Sequence, residues 1–142
     1  FVGNLSGTGN SNVGNIGIGN LITATGNISG ANVIATSWHI RSVTTGISAN
    51  GISQATATAL TKEINVVSTV SSGQGVILPA AVAGMILTIT NTSANSLAVY
   101  PASGAAINAL AANSALTQVA GATLQFIAPT TTQWYTVTGT YA

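Results

Sequence analysis

A short word recurs through the first 33 residues: Gly3-Asn4-Leu5, Gly14-Asn15-Ile16, Gly19-Asn20-Leu21 and Gly26-Asn27-Ile28, with Asn12-Val13 and Asn32-Val33 as degenerate copies. Gly and Asn both tolerate positive φ, so each pair signals a turn, and the Leu, Ile or Val that follows supplies one inward apolar side chain. One buried residue per repeat is too thin for a core. Such a segment must coil as a solenoid or wind with two other chains around a common axis. A flexible Gly/Ser/Asn linker is the simpler alternative on composition, but the regular placement of Leu5, Val13, Ile16, Ile18, Leu21, Ile28 and Val33 argues against it. Residues 1–37 are therefore expected to form a repetitive β stalk.

The charge inventory limits the chemistry. In 142 residues there are two basic side chains, Arg41 and Lys62, one carboxylate, Glu63, one histidine, His39, and no Cys. General acid and base work usually takes two tuned titratable groups, and nucleophilic catalysis takes a nucleophile, a base and an orienting group. One chain can barely assemble such a set, so an enzyme is not expected. Zinc and calcium sites draw on several Cys, His or carboxylate ligands, and nucleic-acid binding draws on clustered Lys and Arg. No metal, cofactor or nucleic acid is expected as a partner. The longest stretch free of polar side chains, Val76 to Leu87, is broken by Pro79 and Gly84. It falls short of the roughly 20 residues that span a bilayer, so no membrane insertion is expected. The absence of Cys leaves the redox compartment open. The chain opens at Phe1 with neither an initiator Met nor a basic segment ahead of an apolar stretch, which is the expectation for a fragment or a processed product.

With 46% hydrophobic residues and almost no charge, the polar surface falls to Ser, Thr, Asn and Gln. These side chains hydrogen-bond in rows along β structure without mutual repulsion, which lets identical copies pack in register. Beyond the repeats, Trp38 and Ile40 alternate with His39 and Arg41, which predicts a short strand with its apolar side buried. Thr44 to Gly51 reads as a turn-rich crossing, and Ser53 to Leu60 as either a short helix or an extended Thr-rich strand. Residues 38–63 are expected to be a connector.

Residues 64–142 read as a compact β domain. Strands are predicted at Ile64–Val70, Gly75–Leu78, Met85–Thr90, Ser96–Tyr100, Ala106–Leu110, Ala115–Val119, Thr123–Ala128 and Gln133–Thr138, separated by Gly-, Pro-, Ser- and Asn-rich turns. Pro79 and Pro101 end strands because proline cannot donate to the ladder. Eight short strands at this spacing predict a small antiparallel β-sandwich, jelly-roll-like in character. A domain of about 80 residues is marginal alone, so burial at a subunit interface is the expected supplement.

The blocks Val76-Ile77-Leu78-Pro79-Ala80-Ala81-Val82-Ala83-Gly84-Met85, Ile89-Thr90-Asn91, Leu97-Ala98-Val99-Tyr100-Pro101-Ala102-Ser103-Gly104, Ile107-Asn108 and Gln133-Trp134-Tyr135 resemble, in that order, the C-terminal β domain of many bacteriophage virion proteins. The Gly-Asn repeats are similar to low-complexity stalks of phage tail fibres. The resemblance implies a homotrimeric tail fibre or appendage on the virion surface, in contact with other virion proteins. Its β head would attach to the host surface. An extracellular filament or pilin-like subunit, polymerising through its N-terminal segment, is the alternative.

Tyr100, Trp134 and Tyr135 are the candidate ligand contacts. Aromatic faces bind sugar rings through apolar CH surfaces, and host glycans would be the ligand class. Trp134 has a competing and favoured reading as a core anchor, because large aromatics dominate burial in small β domains. As neighbours in a strand, Trp134 and Tyr135 must face opposite ways. Thr130-Thr131-Thr132 reads either as a glycan-contacting loop or as a plain turn, and His39 beside Arg41 would line an axial site only if three copies met there.

Overall fold

Alternation of buried and outward residues builds the strands. Met85–Asn91 shows it best: Leu87, Ile89 and Asn91 are buried, while Ile86, Thr88 and Thr90 point the other way. The computed structural model describes residues 37–137, which fold as ten β-strands with no helix. In chain order they are β1 Val43–Ser48, β2 Thr58–Ala59, β3 Ile64–Thr69, β4 Gly75–Ile77, β5 Met85–Asn91, β6 Leu97–Tyr100, β7 Ala106–Ile107, β8 Leu116–Gln118, β9 Thr123–Ala128 and β10 Gln133–Val137. The Gly-Asn stalk expected over 1–37 lies outside the described residues except for Ser37. A boundary falls between Trp38 and His39.

The strands form two sheets, in the orders β1-β3-β5-β9-β10-β7 and β2-β4-β6-β8. Successive strands from β1 to β6 alternate between the sheets. Within each sheet they run parallel: Val43 pairs with Ile64 and Ile64 with Thr88 in one, Thr58 with Val76 and Val76 with Val99 in the other. Three passes of the chain thus stack as a solenoid-like coil. After β6 the pairing changes: β8 runs antiparallel to β6, β9 to β5 and β10 to β9, and β7 joins β10 in parallel.

An all-β fold of stacked sheets agrees with the sequence reading, but the pairing is mixed where antiparallel pairing was expected. The physical reason lies in loop length. A crossing from one sheet to the other, such as Val70 to Gln74, is as short as a hairpin loop, and alternation along a strand is blind to its partner's direction. The solenoid-like coil runs through Val43–Tyr100, so the stretch expected as a connector, 38–63, contributes β1 and β2 to the two sheets.

Two local expectations are corrected. Trp38 to Arg41 is not a strand, and its apolar side is not buried: Trp38 is 86% and Ile40 88% exposed. Alternation defines two faces but does not supply a neighbour to cover one. Thr44 to Ser48 is part of β1 instead of a turn-rich crossing, with Gly46 at φ 72 marking a register shift against β3. Two residues, Thr45 and Gly46, lie between Thr44 and Ile47 where β3 spends only Val66, which is a β-bulge.

The core lies between the sheets. Trp134, Phe126, Ile89 and Val67 from the larger sheet meet Val76, Leu97 and Val99 from the smaller, all fully buried. Three amides are buried with them. Gln118 donates through Nε2 to the Ile89 and Ala122 carbonyls at 3.0 and 2.8 Å, Asn91 through Nδ2 to Asn95 O at 2.9 Å, and Asn65 through Nδ2 to Lys62 O at 2.8 Å. The side-chain amides thus tie strand β5 and the neighbouring turns to one another from inside the core.

Candidate binding surface

The three aromatic candidates do not come together. Trp134 in β10 is fully buried in the core, with its indole Nε1 enclosed and without a hydrogen-bond partner, so it offers no face to a ligand. Its neighbour Tyr135 points outward from the larger sheet and is 52% exposed. Tyr100 stands on the outer face of the smaller sheet, and its hydroxyl donates to the Ile52 carbonyl at 3.1 Å. Its ring lies over Gly75, where an added Cβ would stand 2.9 Å from the ring and 2.5 Å from the Ala98 carbonyl oxygen. Tyr100 thus clamps the 50–57 loop onto its sheet. Gln54 extends the clamp, donating to Pro101 O at 2.7 Å and to Asn113 Oδ1 at 3.2 Å.

The outer face of the larger sheet is organised differently. Register places Val43, Ile64, Thr88, Gln125 and Val137 in one row across five strands. A second row holds Val66, Thr90 and Thr123, the last two joined hydroxyl to hydroxyl at 3.0 Å. A third holds Ile86, Ile127 and Tyr135. None of these residues is charged. Single-sequence reasoning did not find this face. Its signal was present at every second position of the predicted strands, but the rows exist only once the register between strands is known.

Charge gathers elsewhere. Arg41, Lys62 and Glu63 lie just before β1 and β3, at the rim of two shallow depressions that share Glu63, Met85 and Ile86. One, about 150 Å³, is also lined by Ser42, Lys62 and Pro79; the other, about 400 Å³, by Arg41 and Val82. Glu63 is committed to the backbone here. Its Oε2 accepts from Ser42 N at 3.1 Å, and Glu63 N donates back to Ser42 Oγ at 3.1 Å. The reciprocal clasp aligns the entrances of the two strands. It places no second carboxylate or imidazole opposite the first, and among the described residues no group of three His, Cys, Asp or Glu converges. Among the same residues, no helix is long and apolar enough to cross a membrane. His39 is exposed, and Thr130–Thr132 forms an exposed turn in which Thr132 N donates to Thr130 Oγ1 at 3.4 Å.

The sheet edges are blunted. β1, at one end of the larger sheet, carries the Gly46 bulge; β7, at the other, has two residues; the edge strands of the smaller sheet, β2 and β8, have two and three. Short or bulged edges resist pairing with another chain. No family model, curated protein or solved structure matches this chain.

Proposed function

We propose that this chain is a structural subunit of a phage particle, a homotrimeric tail fibre or appendage that presents its β domain for attachment to the host surface. The observation that carries the proposal is an outer sheet face whose rows are uncharged and partly apolar, in sheets whose edges among the described residues are short or bulged. Such a molecule is suited to closed association through faces. The resemblance of the sequence blocks to the β domain of phage virion proteins implies the phage context and the number three. The filament alternative asks for a long open edge to receive a neighbour's strand, and the bulged and two-residue edges count against it. Attachment by three copies of one weak surface works through avidity, so no deep ligand pocket is required.

Native mass measurement of the full chain over a wide concentration range tests the assembly. Trimer is expected, with monomer alone appearing beneath it on dilution; an open series of polymers would sink the proposal in favour of the filament. Binding of the trimer to host cells, with loss of binding on removal of surface glycans, tests attachment.

A further inference from the structure

We infer that the outer face of the six-stranded sheet is the surface through which copies of this chain meet. The inference rests on the self-association in the proposed function and assigns it a location. Three observations select this face. Among the described residues it is open: Val43, Tyr135 and Val137 are 56%, 52% and 48% exposed, whereas the outer face of the smaller sheet is overlaid at Gly75 and Tyr100 by the chain's own loop. Its three rows carry no charged residue; Arg41, Lys62 and Glu63 stand together at one end, beside Ile86. Its polar members, Thr88, Thr90, Thr123 and Gln125, can donate and accept, which suits a surface that must complement itself.

The dimensions fit. Five strands about 4.8 Å apart and five residues at about 3.3 Å rise give a face of roughly 24 by 17 Å, or about 400 Å² of plane per copy. Around a threefold axis each face is shared between two neighbours, so three copies cover about 1,200 Å² of plane together, about 400 Å² per pair, a weak contact to which side-chain relief adds. Three such faces arranged as a triangular prism would each stand roughly 7 Å from the axis, against a half-spacing of about 5 Å between packed sheets. The row of Ile86, Ile127 and Tyr135 supplies side chains large enough to fill that space. An interface of this size is expected to dissociate on dilution.

The test compares the full chain with Gln125→Arg and Tyr135→Arg, two changes at exposed positions of the face, and with Thr117→Arg on the outer side of the smaller sheet. Native mass and sedimentation read the assembly, and thermal unfolding monitored by circular dichroism confirms that each variant folds. The expected result is a folded monomer for both face variants at concentrations where the parent and Thr117→Arg remain assembled, with the dissociation constant weakened at least tenfold. An assembled parent that keeps its mass in both face variants would overturn this location and leave the proposed function standing. A parent that is monomeric at every concentration would overturn both, and a dimer broken by the face variants would support the location while removing the trimer.

Discussion

Tyr100 and Tyr135 occupy equivalent places, each on the outer face of a sheet, and meet opposite fates. Tyr100 lies over Gly75 and donates its hydroxyl to Ile52 O, so the chain's own loop covers this part of the smaller sheet's outer side. Tyr135 stands half-exposed beside Ile127, with no such cover among the described residues. The same residue type therefore serves intramolecular closure in one sheet and an open surface in the other. Polarity did not decide this; the presence of a glycine beneath the ring and a loop within hydroxyl reach did. Substitutions that exchange these circumstances show which sheet depends on itself and which is available to something else.

The largest effect is expected where both sheets meet. Trp134→Ala removes the biggest buried side chain and should destabilise the domain by about 3–5 kcal/mol, enough to unfold a fold of this size. Chemical denaturation reads it directly. Trp134→Phe keeps a ring and removes the enclosed Nε1–H that lacks a partner, so its cost should be less than half as large; equal losses would show that the indole N–H is in fact satisfied.

Next comes the closed side. Gly75→Val places a side chain against Ala98 O and the Tyr100 ring, and the overlap should cost about 1–3 kcal/mol by forcing the backbone or the ring aside. A loss well below 1 kcal/mol would mean that Tyr100 swings away freely and that the clamp is loose. Gln118→Leu tests the core beneath: it removes the amide that reaches the Ile89 and Ala122 carbonyls, the second of which keeps its bond from Asn91 N, at an expected cost of about 1–3 kcal/mol.

Much of the domain was legible in the sequence, for reasons these residues illustrate. Pro79, Pro101 and the Ser71-Ser72-Gly73 turn punctuate strands β3 to β6 so clearly that their predicted bounds differ from the observed ones by one residue at most. Alternation also required Trp134 and Tyr135 to face opposite ways. It could not say which faced the core, because that phase is fixed by pairing: Tyr135 lies opposite Ile127 and Thr136 opposite the buried Phe126. β1 was missed because Val43-Thr44-Thr45-Gly46-Ile47 carries a glycine where the strand bulges, and a bulge and a turn look alike in a single sequence. The outer rows were invisible for a related reason. Ile86 is far along the chain from Ile127 and Tyr135, and only parallel coiling followed by an antiparallel return brings β5 beside β9.

The smallest effects separate the two faces most cleanly. Tyr100→Phe deletes one hydrogen bond to Ile52 O while keeping the ring over Gly75; a loss of about 0.5–1.5 kcal/mol is expected. Tyr135→Ser removes an entire ring yet should change the stability of the dissociated chain by no more than about 0.5 kcal/mol, since the ring is half in water and buries little within its own domain. The order is the reverse of what side-chain size alone would give. Both should be measured by denaturant unfolding at concentrations low enough to keep the chain dissociated, because association would add its own stabilisation to the parent. If Tyr135→Ser proved the costlier of the two under those conditions, the outer face of the larger sheet would be packed by the chain itself and could not be the surface left free for another copy.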